Sequence, residues 1–179
     1  MAKKAETRTL AFEVGQSVVY PAHGVGRITA VEKQTVAGMA LEVYVVAFDQ
    51  DKMILRVPTN RAEASGMRAL AGSKLVDDAL KTLGGKARIK RTMWSRRAQE
   101  YEAKINSGDL ISIAEVVRDL HRGDDQPEQS YSERQLYESA LDRMARELAA
   151  VENIDKVKAM EKLAKSLAKA FPDEFAPPP

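Results

Sequence analysis

Up to about residue 70, apolar positions come in short runs rich in β-branched and aromatic residues: SVVYP (17–21), GRITAVEKQTV (26–36), LEVYVVAF (41–48) and MILRV (53–57). Glycines or polar groups separate them, at Gly24 and Gly26, at Ala37-Gly38, and at Asp49-Gln50-Asp51. This punctuation predicts an antiparallel meander. In the third run, Val43, Val45 and Ala47 alternate with Tyr44, Val46 and Phe48. A strand apolar on both faces belongs in the sheet interior. Four or five such strands suit a small closed barrel better than a flat sheet with exposed edges.

Beyond Leu70 the period becomes helical. Leu75, Val76, Ala79, Leu80 and Leu83 form one stripe, which Gly84-Gly85 ends. A second helix is expected over 92–106, stopped at Gly108. Asp109 can cap a third, with Ile113, Val116, Val117 and Leu120 on its buried face. The segment HRGDDQPEQ, with Asp124 and Asp125 as solvated charge, reads as a loop. Ser130 and Glu133 make a capping box for a long helix through Ala150. A last helix carries Val157, Met160, Ala164, Leu167 and Phe171 at helical spacing, and the prolines of FPDEFAPPP end it in an expected mobile tail. The expected architecture is α+β: a small β domain (12–70), a joint near 66–73, and a compact all-α domain of about five helices (71–172). Residues 1–11 and 173–179 are expected to be flexible.

Composition narrows the function less than the pattern does. The chain of 179 residues is 44% hydrophobic and 30% charged, as in soluble globular proteins. With 28 basic and 26 acidic residues its net charge is only +2, so a nucleic-acid role has to rest on local clustering. There is no cysteine, hence no disulfide and no thiolate metal site. Absence of disulfides fits a reducing compartment. The start, MAKKAETRTL, lacks an apolar signal region, and no run reaches membrane-spanning length. A cytoplasmic protein is expected.

No catalytic constellation emerges, so no enzymatic activity, cofactor or metal is expected. His23 lies in a turn (PAHGVG) and His121 near a helix end, where a cation suits the dipole. Two distant histidines do not make a metal site, and both read as structural. PAHGVGRI is glycine-rich but has neither GxGxxG nor a P-loop lysine.

One local signal stands out. Residues 86–104 hold seven basic side chains against Glu100 and Glu102, and within them sits the only tryptophan, Trp94. Two readings remain open. Trp94, Ala98, Tyr101 and Ile105 follow a 4-3-4 spacing, so the indole can cover the first turn of a core stripe amid a solvated basic face. Alternatively, a tryptophan at the edge of that stripe, with Arg96 and Arg97 in the phosphate-favouring first turn, suits insertion beside bases with simultaneous backbone contact.

VGQSVVYPAHGVGRI (14–28), ILRVP (54–58), MWSRR (93–97) and GDLISIAEVVRDLHR (108–122) together resemble the CarD/CdnL family of bacterial transcription regulators. The resemblance runs from about Phe12 to Phe171. The WSRR and AEVVRDL segments, in that order after a VVYPxHGVG start, are its specific part. The N-terminal half is also similar to the polymerase-interacting module of the transcription-repair coupling factor, but the chain has no helicase motifs. The resemblance implies a Tudor-like β-barrel domain that docks on the RNA polymerase β subunit. It further implies a helical domain that touches promoter DNA at the upstream edge of the melting region and stabilises the open complex. A polymerase-binding edge then maps to Gln34, Val36, Arg56 and Pro58. Trp94 becomes the minor-groove wedge, with Lys90, Arg91, Arg96 and Arg97 on the phosphate backbone. Gln34 and Gln99 are neutral where some relatives carry a basic residue, which weakens one expected contact of each kind. The expected state is a monomer. Two rivals are a free-standing DNA-binding protein, disfavoured by the near-neutral charge, and a pure protein-interaction module with Trp94 in its core.

Overall fold

The computed structural model describes residues 10–48, 52–123 and 126–169; the expected turn at 49–51, the Asp124-Asp125 pair, Phe171, positions 1–9 of the expected N-terminal tail and all of the C-terminal one lie outside them, whereas Leu10 packs against the β-domain core. Strands β1 (Ser17–Tyr20), β2 (Gly24–Val36), β3 (Met39–Phe48), β4 (Met53–Pro58) and the short β5 (Arg68–Ala69) precede five helices. These are α1 (Ser73–Leu83), α2 (Trp94–Asn106), α3 (Leu110–Leu120), α4 (Tyr131–Glu152) and α5 (Lys156–Ala168). The α+β order expected from the pattern is the order observed.

All strand pairs are antiparallel, in the order β4-β3-β2-β1-β5. β3 is interior, as its two apolar faces require. Among the described residues β4 and β5 stand at the two ends of this order and are not paired with each other. One face carries Val18, Ile28, Tyr44, Val46, Phe48 and Val57, closed over by Phe12, Ala62 and Met67. Gly26 is needed there: a Cβ would lie 2.7 Å from both Val46 and Phe48 side chains. β2 and β3 are joined through Ala37 (φ 51°) and Gly38 (φ 78°), two left-handed residues that make the tight turn a long hairpin favours.

The helical core collects the apolar stripes of all five helices, with Leu83, Val116, Val117, Leu120 and Leu163 at its centre. Capping follows the sequence. Asp109 accepts from the Ser112 N–H at 3.2 Å, and Ser130 accepts from the Glu133 N–H at 3.3 Å. The expected capping box is only half formed, because the Glu133 carboxylate binds Arg122 at 3.0 Å instead. α5 needs a correction. Val157 is 68% exposed and Ala164 is also exposed, while Ala159, Leu163, Ser166 and Leu167 are buried. Two stripes of helical spacing overlap on this helix, and the buried one contains the small Ala159 and faces α1 and α4.

The two halves meet in a polar contact. Arg68 forks onto Glu147 of α4 at 2.6 and 2.9 Å, and Arg143 of α4 donates to the Pro21 and Ala22 carbonyls, each at 2.8 Å.

Candidate functional site

Alternation along strands sends side chains to opposite faces, and directly opposed residues share a face. Gln34 is opposite Leu41, Val36 opposite Met39, Arg56 opposite Val45 and Pro58 opposite Val43. All four β3 partners carry odd numbers. Gln34, Val36, Arg56 and Pro58 therefore lie on one face, the one turned away from the Tyr44–Val46–Phe48 core. The register shift between Ile28 and Ala30 puts the outer half of β2 in this phase. Arg56 is half exposed on the end strand of the sheet, and its Nε stands 3.6 Å from Glu32 Oε2. The same face exposes Val36 (52%), Met39 (69%) and Ile54 (58%). Sequence reasoning passed over Met39 and Ile54. Pairing the hairpin across its Ala37-Gly38 turn would have found Met39 opposite Val36.

The basic segment is held by a buried acid. Asp119 of α3 is 3% exposed and accepts from the Arg88 N–H at 3.0 Å and from Arg118 Nε at 2.9 Å. This pins the 84–93 loop, so exposed Arg91 and Lys90 project next to α2; Lys90 also pairs with Glu100 at 3.4 Å. Arg88, Lys90, Lys104 and Arg118 line an open cleft of about 430 Å³ together with Glu115, which pairs with Lys104, and Asp119, which pairs with Arg118.

α2 begins without a capping side chain at Met93 and without an acidic residue in its first turn. Its positive dipole end is thus not complemented by a side chain of its own cap or first turn. Trp94 is half-buried and packs against the helical core. Its Nε1–H donates to Ser132 Oγ at 3.0 Å, and its ring centroid is 6.4 Å from that of buried Tyr101. One side of the indole is therefore core, and the residue stands at the core's rim. Arg97 is half-buried, its guanidinium 5.4 Å from the indole centroid and 5.8 Å from the Tyr101 ring. Arg96 is exposed. Trp94, Arg96 and Arg97 are thus brought together on one turn, with Lys90 and Arg91 in the loop before it.

Two neighbours were missed. Met93 is 77% exposed, and Tyr131, next in sequence to Ser132, is 79% exposed. The indole–Ser132 bond brings the starts of α2 and α4 together, with Met93 next in sequence to one partner and Tyr131 to the other. Their separation in sequence hid this. His121, the C-cap of α3, shares a 2.8 Å hydrogen bond with Tyr137. Burial lowers its pKa below the usual 6.5, so desolvation outweighs the dipole that a sequence reading gives it. His23 stacks on Tyr20 at 5.8 Å. Among the described residues, no three His, Cys, Asp or Glu side chains are placed to hold a metal ion, and no helix is long and apolar enough to cross a membrane.

Residues 12–71 match the family described as the CarD-like/TRCF RID domain, and residues 78–164 match the CarD C-terminal domain. Among curated proteins, the chain is 26% identical over 143 residues to a Bacillus subtilis (strain 168) protein named "Putative transcription factor YdeB", covering 80% of this chain and 94% of that one.

Proposed function

The chain belongs to the CarD/CdnL family of transcription factors, and from that premise we propose that it docks on the RNA polymerase β subunit and holds promoter DNA open. In this reading residues 12–70 are the anchor. The outer sheet face offers Arg56 at an end strand beside Gln34, Val36 and Pro58, and the neighbouring Met39 and Ile54 add apolar area. An unpaired strand edge with alternating anchors suits a partner that is itself a sheet. Residues 71–172 are the DNA foot, acting in the cytoplasm as one monomer per polymerase.

The observation that carries the reading is the setting of Trp94. A wedge must stay rigid while it meets a base step, and this indole is braced by Tyr101, Arg97 and a 3.0 Å bond to Ser132. Around it, Arg96, Arg91 and Lys90 supply charge for phosphates, and the uncapped α2 start supplies backbone N–H groups. Entering the minor groove at the upstream edge of the melting region, the indole offsets an unstacking cost of a few kcal/mol with its flat apolar face.

Arg56→Glu tests the anchor. Arg56 is half exposed and its partner Glu32 equally so, so reversal leaves the fold intact. Against an acidic partner surface it costs several kcal/mol. The expected result is loss of polymerase capture with an almost unchanged melting temperature. Retention on polymerase equal to the unmodified protein would remove the proposed docking face.

A further inference from the structure

The contact between the two halves is built on buried, directional polar groups. Within the helical domain the buried face of α4 is Ala140, Met144, Ala145 and Leu148, with ion pairs to Arg122, Lys156 and Lys162 at its edges. Towards the β domain it presents Arg143 and Glu147, one turn apart and hence on one side of the helix. Glu147 is 3% exposed and takes Arg68 Nη2 at 2.6 Å, Arg68 Nη1 at 2.9 Å and the Ala71 N–H at 3.1 Å. Arg68 Nε also donates to the Gly108 carbonyl at 2.8 Å. Arg143 donates to the Pro21 and Ala22 carbonyls in the β1–β2 turn, each at 2.8 Å, and to the Ile105 carbonyl at 3.0 Å. Gly108, at φ +74°, lets Pro21 come so close that a Cβ would stand 3.1 Å from its Cα. The C-terminal end of α2, the start of α3, α4, β5 and the β1–β2 turn therefore meet at one point.

That point is the far end of the helix that begins with Trp94. Twelve residues of rise separate Trp94 from Asn106, about 18 Å at 1.5 Å per residue. A tilt of about 10° at the clasp would carry the indole about 3 Å, which is most of a base-stacking distance. Apolar packing tolerates such sliding, whereas a buried bidentate pair and an arginine shared among carbonyls are directional.

We propose that Arg68, Glu147 and Arg143 are positioning residues that set the angle between the sheet's outer face and Trp94, and that this angle governs the effect on the open complex. The inference rests on the docking reading above. It adds that two competent surfaces are not enough: they must be held at one orientation. Tethering without orientation raises local concentration, but only a pre-set geometry places the ring at the base step.

The chain has no cysteine, so Val14→Cys and Val157→Cys, both at exposed sites in different halves and outside the proposed docking face, accept a dye pair. Single-molecule energy transfer then reports the spread of inter-domain distances in the free protein. Arg143→Lys keeps the charge but loses the fork, and Glu147→Gln keeps the shape but loses the charge; should one fail to fold, the other carries the test. Each is expected to broaden the distance distribution, keep polymerase affinity within about twofold, and shorten open-complex lifetime at least fivefold, with the double variant no worse than the stronger single. A merely structural role would move the melting temperature without separating affinity from lifetime. A broadened distribution with a normal lifetime overturns the proposal, and so does an unchanged distribution in both variants. If the unmodified protein fails to bind polymerase, the docking reading falls and takes the lifetime claim with it, while the dye distances still decide whether these residues hold the angle.

Discussion

Replacing Trp94 with alanine separates the two roles that its half-buried position combines. Full truncation of a buried aromatic costs about 3–5 kcal/mol. Only one side of this indole packs on the core, so about half of that is at stake, near 2 kcal/mol. The lost bond to Ser132 adds little, since an exposed serine hydroxyl can turn to water. For a chain of this size, about 2 kcal/mol corresponds to a fall of about 4–8 °C in melting temperature. Stability in the usual range of about 5–15 kcal/mol leaves nearly all molecules folded at 25 °C after that loss. Any effect on transcription complexes at 25 °C is then a property of the folded protein. The proposed wedge predicts that open-complex lifetime falls about tenfold, equivalent to about 1.4 kcal/mol, while polymerase affinity is unchanged. Trp94→Phe keeps a flat ring and should recover part of the lifetime. Ser132→Ala, which frees the indole to turn, should cost lifetime with little change in melting. The assays are a thermal melt and a competitor-challenged decay of open complexes with the same preparations. A large drop in melting temperature together with an unchanged lifetime would refute the wedge and leave Trp94 as a core residue only.

Three further outcomes follow from single contacts. Arg96 is exposed and Arg97 lies over two rings; Arg96→Ala should reduce the slope of log affinity against log salt by about 1, and Arg97→Ala should chiefly lower the melting temperature. Equal slopes in Arg96→Ala and the parent, measured on the polymerase–promoter complex, would take Arg96 off the backbone. Burial holds the His121 pKa below 6.5, so the unfolded chain takes up this proton first on acidification. The stability contribution is complete above pH 6.5 and is lost as pH falls through the lower folded value; His121→Gln should flatten that part of a melt-versus-pH series, and a parallel curve would contradict it. Gly26→Ala places a Cβ 2.7 Å from Val46 and Phe48, an overpacking worth about 1–3 kcal/mol, visible as a lower urea midpoint. An unshifted midpoint would show that the β2–β3 packing yields freely.

How much of this was legible depended on range. Elements were readable because their signals are local: alternation over 41–48, the Asp109 and Ser130 caps, and the Gly84-Gly85 stop each act within a few residues. The α5 face was misread because two stripes of equal period overlap, and only the partner helices choose between them. Candidate residues 90–97 were visible as charge around a tryptophan. Met93 and Tyr131 were not, since exposure of an apolar residue at a helix start leaves no periodic trace. The Arg68–Glu147 pair spans 79 positions and the Arg143–Pro21 bond 122, so no window on the sequence could join them. His121 showed the same limit in electrostatics: its helix end was readable and its burial against Tyr137 was not.

The near-neutral charge, at first an argument against a DNA role, is consistent with the proposed division of labour. Residues 12–70 carry six acidic and six basic side chains, while 86–104 carry seven basic and two acidic. A foot making about three phosphate contacts binds weakly; taking about 10⁻⁴ M, the weak end of non-specific affinity, micromolar free protein would occupy about 1% of sites. In the proposed arrangement, anchoring on polymerase would give an effective concentration of about a millimolar, which raises occupancy to about 90% at the same intrinsic affinity. The gain comes entirely from the anchor, so it appears only at promoters where polymerase already sits. A more basic surface would raise occupancy everywhere and erase that restriction. Weak charge on the foot, an uncharged balance on the anchor and a clasp that fixes their angle are on this account one solution: affinity is kept low so that placement, rather than attraction, decides where the tryptophan acts.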